Sequence, residues 1–278
     1  MNPKTLGFLG AGKMARALAG GLASANPRPA FLGGLVASAR TGATLEKFAA
    51  ALGSARELFR PAQDNRDLVQ SSDIIILGIK PAQAAEILPP LREAAAGRLF
   101  ISLLAGIPLA RLQEHLGPAA RIVRAMPNTP ALIGEGITGY ALGTGVTDED
   151  AALAQAALQA VGQALRVEES QLDAVTALSG SGPAYVFHFL NALIEGGVAE
   201  GLPPALARTL ALQTVIGAAK LVAASGESPL ALADQVKSPN GTTVAACNLL
   251  AERHWEETLR AALAAARRRA AELSRPPA

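Results

Sequence analysis

The spacing of apolar residues divides the chain into two regimes. Leu6, Phe8 and Leu9 form a short apolar run that opens onto Gly10-Ala11-Gly12, after which a helical pattern begins. Residues 33–38 predict a second strand, 44–52 a helix, 56–59 a weak strand and 65–71 a short helix. Residues 73–79, with an apolar run over 74–79, read as a strand buried on both faces, of the parallel-sheet kind. Further strands are predicted at 99–104, 121–126, 136–142 and 164–167, with a helix over 148–162 before the last. From residue 168 onward the strand pattern stops. Helical spacing covers 169–178, 183–200, 204–224, 229–236, 242–252 and 254–273, punctuated by proline at starts and glycine past ends.

This alternation predicts an α/β domain with a doubly wound, mostly parallel sheet over residues 1–167, then an all-helical domain over 168–278. The helices at 204–224 are so apolar that a homodimer sharing a helical core is expected. With 278 residues, burying two cores is no difficulty. No unbroken apolar run approaches the ~20 residues that span a bilayer. The chain enters its first strand almost at once, so no signal peptide is expected and a cytoplasmic location is favoured. The single Cys247 excludes an internal disulfide, and the scattered histidines suggest no metal site. A formal charge of +2 gives no bulk argument for nucleic acid. The cluster Arg267-Arg268-Arg269 reads as positive charge favoured towards a helix C-terminus.

Chemistry enters at Gly10-Ala11-Gly12. Glycine at 10 permits a tight turn, glycine at 12 lets a pyrophosphate approach the backbone, and Ala15 takes the third small position. The free N–H groups of the following helix favour an anion. Placed at the first strand of an alternating β/α chain, this is a dinucleotide fingerprint. An NAD-type site usually ends its second strand on an acid that holds the ribose 2′-hydroxyl. Here that strand ends Ser38-Ala39-Arg40-Thr41. Arg40 can pair with a 2′-phosphate, and Ser38 and Thr41 can donate to it, so NADPH is expected over NADH.

A series of motifs in order carries a resemblance over nearly the whole chain. They are Gly7 to Ala15; Ser72-Asp73 through Gly78-Ile79 to Lys80-Pro81; Ser102 to Ala105-Gly106; Arg124-Ala-Met-Pro-Asn-Thr-Pro130; Leu178-Ser-Gly-Ser-Gly-Pro-Ala-Tyr185; and Asp234 through Ser238-Pro-Asn-Gly-Thr-Thr243. The chain resembles the Δ1-pyrroline-5-carboxylate reductase family, and the last three motifs are the specific ones. The resemblance implies NAD(P)H-dependent reduction of a cyclic imine to L-proline, in proline biosynthesis. It implies a Rossmann domain followed by a dimerising helical domain of the 6-phosphogluconate dehydrogenase C-terminal type, with higher assembly open. By family pattern Leu9, Gly10, Ala11, Gly12, Lys13 and Met14 hold the pyrophosphate, and Asn65 the adenosine ribose. The turns Gly78-Ile79-Lys80-Pro81 and Leu103-Leu104-Ala105 line the cofactor, with Met126 and Asn128 near the nicotinamide. Glu169 and the loop carrying Ser238, Gly241, Thr242 and Thr243, all from the helical domain, surround the substrate.

The residues of that loop support the same reading. Ser238-Pro-Asn-Gly-Thr-Thr243 precedes a helical run, so its N–H groups suit the carboxylate of an imino acid. It is also a good turn with Thr242 as a good N-cap. Ser179-Gly-Ser-Gly182 is either a simple helix start or a turn packed near the active site. Hydride transfer to an imine carbon asks for orientation more than for a strong acid–base pair. Thr243 is the candidate contact to the imine nitrogen. Lys80 is expected to serve the cofactor turn rather than to act as an acid. Asn240, Cys247, Ala251 and Lys237 depart from the family pattern. They leave open a reductase of another cyclic imino acid, such as the six-membered analogue; a non-catalytic NADP-binding regulator is the alternative of a different class.

Overall fold

The computed structural model of the chain describes residues 3–275. Its sheet has eight strands: β1 (Lys4–Leu9), β2 (Leu32–Ser38), β3 (Phe59–Pro61), β4 (Ile74–Leu77), β5 (Leu99–Ser102), β6 (Arg121–Met126), β7 (Gly136–Leu142) and β8 (Gly162–Arg166). Their order is β3-β2-β1-β4-β5-β6-β7-β8, and every pair is parallel except β6–β7. The linker from β6 to β7 is a short 3₁₀ turn, Thr129–Ile133. A parallel crossover needs a dozen or more residues, so these two strands can only run antiparallel.

Alternation is present inside the continuous apolar runs. Ile74 and Ile76 face one core with Leu6, Phe8, Ile101 and Val123, while Ile75 and Leu77 face a second with Leu9, Phe100 and Ile122. Helices α1 (Lys13–Ser24), α2 (Gly42–Ala51) and α6 (Asp148–Gln159) cover the first face through Leu18, Phe48 and Leu153. Helices α3 (Asn65–Gln70), α4 (Ala84–Ile87) and α5 (Leu109–Leu116) cover the second through Leu68, Ala84 and Leu112. All four residues of β4 are at most 1% exposed. At ~1.5–3 kcal/mol for each fully buried aliphatic side chain, this strand anchors both layers.

The sequence expectations differ from the structure at several elements. The weak strand expected at 56–59 starts only at its last residue: Gly53–Leu58 is a 3₁₀ turn and the strand is Phe59–Pro61. Helix α5 was not anticipated, although Leu109, Leu112 and Leu116 have helical spacing. The helix expected at 169–178 is a composite of a 3₁₀ turn (Glu169–Gln171), α7 (Leu172–Val175) and a π-turn (Thr176–Gly180).

By contact density the chain forms two units: residues up to Ser181 together with those from Ala266 onward, and Gly182–Ala265. The seam thus falls beyond the last strand. Residues 169–181 stay with the sheet because α7 packs on β7, where the side chain of Val175 would meet any Cβ placed on Gly139 at 2.8 Å. The second unit holds α8 (Gly182–Ala199), α9 (Pro204–Ser225), α10 (Pro229–Gln235), α11 (Thr242–Glu252) and the first part of α12 (Trp255–Leu273). Helices α8 and α9 pack closely, since a Cβ on Gly197 would lie 3.3 Å from Ala207 Cβ. Much of their apolar surface is uncovered, including Phe187, Leu206, Leu210 and Leu221.

Helix α9 also corrects the expectation that no segment matches a bilayer span. It is long and apolar enough by length and composition, with a mean hydropathy of 1.3 over its best window, of which 11% is buried. Arg208 and Lys220 interrupt its apolar runs without lowering the average enough. The arginine cluster at 267–269 lies ahead of the last turn of α12, which carries no basic residue, and Arg269 pairs with Glu272 at 2.8 Å.

Candidate active site

The strands from β1 to β6 that run parallel all deliver their C-terminal ends to one edge, and the order reverses between β1 and β4. Open α/β sheets bind ligands at that switch point. Here it is closed by backbone. Gly10 takes φ +94, and a Cβ on it would fall 2.8 Å from the carbonyl carbon of Gly78; a Cβ on Gly78 would fall 2.8 Å from the carbonyl oxygen of Gly10. Neither obstacle is a side chain that could move. The two turns touch because both residues are glycine.

Gly12 is the N-cap of α1 with no side chain to cap it, and at this end Arg16 N donates to Gly12 O at 3.0 Å. The N–H groups of residues 13–15 therefore face outward, ready for an anion. Around this point Gly10, Ala11, Gly12, Ser38, Arg40, Asn65, Gly78, Ile79 and Lys80 line one cavity of ≈ 430 Å³, joined by Thr41, Thr44 and Gln83. Asn65 arrives there because Asp64 caps α3, accepting from Asp67 N at 2.7 Å, and Ser38 Oγ donates to Asn65 Oδ1 at 2.8 Å.

Other expected cofactor residues sit differently. The side chains of Leu9 and Leu104 are buried in the core and that of Met14 packs against it, so these residues can offer only main chain. Lys13 lines a separate groove with Arg16, Leu132 and Ile133. Pro81 and Ala105 are exposed at the edge, and Leu103 N is tied to Leu77 O at 3.0 Å. Asn128 is 9% exposed, and its Oδ1 accepts from Ile137 N at 3.0 Å, which pins the start of β7. The hydroxyls of Ser38 and Thr41 are both engaged, the first with Asn65 and the second with Thr44 at 2.9 Å. Arg40 is exposed and makes no ion pair or hydrogen bond among the described residues. Arg40 is therefore an open cation lining this cavity, as is the exposed Lys80.

Glu169 lies in the first unit rather than among the helices of the second. Its Oε1 accepts from Leu109 N at 2.7 Å and from Arg124 Nη1 at 3.1 Å. Arg124 is 7% exposed and approaches Asp173 as well, at 3.9 Å. Sequence reasoning missed this pairing of a buried arginine with a partly exposed glutamate; Arg124 inside an apolar strand was the signal.

In the second unit, residues 238–243 form a tight turn into α11. Gly241 N donates to Ser238 O at 2.9 Å, and Asn240 takes φ 57, a left-handed value that asparagine tolerates well. The N-cap is Gly241 and not Thr242, and no side chain caps the helix. Backbone amides at residues 242–244 stay available for an anion, with the Thr242 and Thr243 side chains in the same first turn. Gly241 sits tightly, since a Cβ would meet the movable Ser238 Oγ and, at 3.0 Å, its carbonyl oxygen. Lys237 is held by Asp234 at 2.7 Å, and that hydrogen bond raises its pKa. Lys237, Cys247 and Ala251, three of the departures from the family pattern, line a single cavity of ≈ 450 Å³ with Trp255.

A glycine-floored switch point lined by an open cation, followed by a separate helical unit, defines a nicotinamide-dinucleotide oxidoreductase of the two-domain kind. Comparison with known proteins agrees. Residues 5–106 match a family model described as NADP oxidoreductase, coenzyme F420-dependent, and residues 169–273 match one described as pyrroline-5-carboxylate reductase dimerisation. A pyrroline-5-carboxylate reductase of Arabidopsis thaliana is 40% identical, covering 97% of this chain and 95% of the relative. Among solved structures, the pyrroline-5-carboxylate reductase of Coxiella burnetii superposes with a TM-score of 0.89 at 35% identity, covering 99% of this chain and 100% of that one. The pyrroline carboxylate reductase of Plasmodium falciparum, solved with NADP bound, gives 0.86 at 30% identity, with the same coverage. The chain belongs to the pyrroline-5-carboxylate reductase family.

Proposed function

We propose that the chain reduces 1-pyrroline-5-carboxylate to L-proline, with NADPH as the preferred reductant and NADH as a weaker one. The observation that carries this reading is the cleft where Gly10 and Gly78 meet, with the unpaired Arg40 at one end. NADPH held there would supply the hydride that reduces the C=N bond to an amine. The amides of residues 13–15 hold the pyrophosphate and Asn65 the adenosine ribose. Arg40 pairs with the 2′-phosphate, which a carboxylate at that position would repel. Residues 78–81 and 103–105 bound the cofactor, with Met126 and Asn128 towards its nicotinamide.

The open amides at the start of α11 take the substrate carboxylate, with Ser238, Gly241 and Thr242 shaping the turn. The Thr243 hydroxyl contacts the imine nitrogen and keeps it polarised, while solution supplies the proton the amine gains. Glu169 acts from its place against Arg124. Residues 1–167 serve the cofactor and 168–278 serve dimerisation and substrate. The uncovered faces of α8 and α9 are the surface on which two copies pair, so the hydropathy of α9 belongs to that contact and not to a membrane. Higher assembly of dimers and a cytoplasmic location complete the reading; nucleic acid and metal have no part in it.

Initial rates with NADPH and NADH on the five- and six-membered cyclic imino acids test it. Rapid NADPH oxidation with the five-membered ring is expected, and Arg40→Asp should lower NADPH efficiency ~10- to 100-fold while sparing NADH. A preference for the six-membered ring would turn attention to Lys237, Asn240 and Cys247. NADPH binding without turnover on either ring would overturn the reductase in favour of a regulator.

A further inference from the structure

The Ser179-Gly180-Ser181-Gly182 motif plays no part in the cofactor cleft or the substrate turn described above. Its first two residues end the π-turn Thr176–Gly180, closed by Ser181 N donating to Thr176 O at 2.8 Å, and Gly182 begins α8. Single π-turns within helices recur at functional sites. Gly180 is not among the residues with positive φ, so its backbone does not demand glycine. Space does. A Cβ at this position would lie 2.6 Å from Met126 Cε, with Met126 Cγ and Thr176 Cγ2 both at 3.8 Å.

Met126 is the last residue of β6, on the edge of the sheet where Gly10, Gly78 and Leu103 also emerge, and it is only half-buried. It points to the same side of β6 as Arg124, the side that residues 169–180 cover. Its thioether has three rotatable bonds and makes favourable contacts with ring edges. The end of that chain lies in the slot left by the missing Cβ of Gly180.

We propose that Gly180 is a positioning residue for the reaction: the slot above it parks the Met126 methyl group and so sets the surface that the nicotinamide rests against. This rests on the reductase reading given above. A methyl group added at 180 meets the far end of a flexible side chain, so Met126 swings and the fold stays intact. The consequence is kinetic and not structural.

Gly180→Ala tests this, read by thermal unfolding, by steady-state rates and by NMR of [methyl-13C]methionine. The chain has three methionines, so the Met126 signal is assigned by substitution. The expected result is an unchanged melting midpoint, a displaced Met126 methyl resonance, and a kcat lower by ~10-fold with little change in KM for the imine. In a Met126→Ala background, Gly180→Ala should cost nothing further, because the two act through one contact. Independent, multiplying losses would overturn the proposal, as would a Met126 resonance that does not move. Should Gly180→Ala fail to fold, Met126→Leu, whose branched end does not enter the slot, must lower kcat at unchanged stability, and wild-type kcat overturns the idea. Absence of imine reduction by the parent protein sinks the reductase reading alone, since the resonance still reports the packing.

Discussion

At the scale of single residues, the informative positions are those whose environment contradicts their type. Arg124 is a cation inside a buried strand, and it is tolerated because Glu169 shares one carboxylate oxygen between it and the Leu109 amide. His115 shows a similar competition. It lies in the last turn of α5, where the helix dipole favours the protonated ring, yet burial first and Arg111 second lower its pKa. A folded-state pKa below the unfolded value of about 6.5 means that the unfolded chain binds more protons as the pH drops. Stability from this residue is therefore complete above that pH and lost progressively below it. Melting midpoints measured across the acid range should fall more steeply for the wild type than for His115→Gln; parallel curves would count against burial as the cause. Arg40 and Lys237 were both visible in the sequence as charges beside expected sites. Only the folded structure separates them: Lys237 is paired with Asp234, and Arg40 is left open.

At the scale of elements, the βα turn after β1 separates glycines that the fold needs from one that a ligand needs. Gly10 has φ +94 and lies against the Gly78 backbone, whereas Gly12 has φ −71 and would place a Cβ 3.6 Å from the nearest atom, an ordinary contact. Gly10→Ala should destabilise the protein by roughly 1–3 kcal/mol, the usual cost of a strained backbone. Gly12→Ala should melt like the wild type but bind NADPH at least ~10-fold more weakly, because its Cβ intrudes where the pyrophosphate approaches. Thermal unfolding beside a fluorescence titration checks both halves, and equal behaviour of the two variants would refute the division. Most of these elements were legible beforehand: β6, β7 and α11 lie where the apolar period puts them. The failures have physical reasons. Residues 53–58 satisfy their backbone locally in a 3₁₀ turn, and the π-turn at 176–180 bends with no local sequence rule to announce it.

At the scale of the whole molecule, exposed apolar side chains on α8 and α9 need a partner. Phe187 is 63% and Leu210 49% exposed, on helices matched to a dimerisation family. Light scattering should give a dimer for the wild type. A Phe187→Glu/Leu210→Glu variant should shift towards monomer and melt earlier, since each charge would have to be buried unpaired. A variant that remains dimeric would place the interface elsewhere. The first unit shows that its boundary is also a property of packing: residues 169–181 and those after Ala266 belong with the sheet by contact, although they are far apart in the chain.

Legible from the chain alone were the order of the strands, the two regimes and the dinucleotide turn. Those depend on local chemistry: apolar period, proline and glycine punctuation, and small residues at fixed offsets. What only the tertiary structure decided was which groups remain available. Ser38 and Thr41 are engaged by neighbours 27 and three residues away, Glu169 reaches back 60 residues to an amide, and Gly180 makes room for a methionine 54 positions earlier. Such pairings depend on distances that close only when the chain is folded, so no local pattern records them.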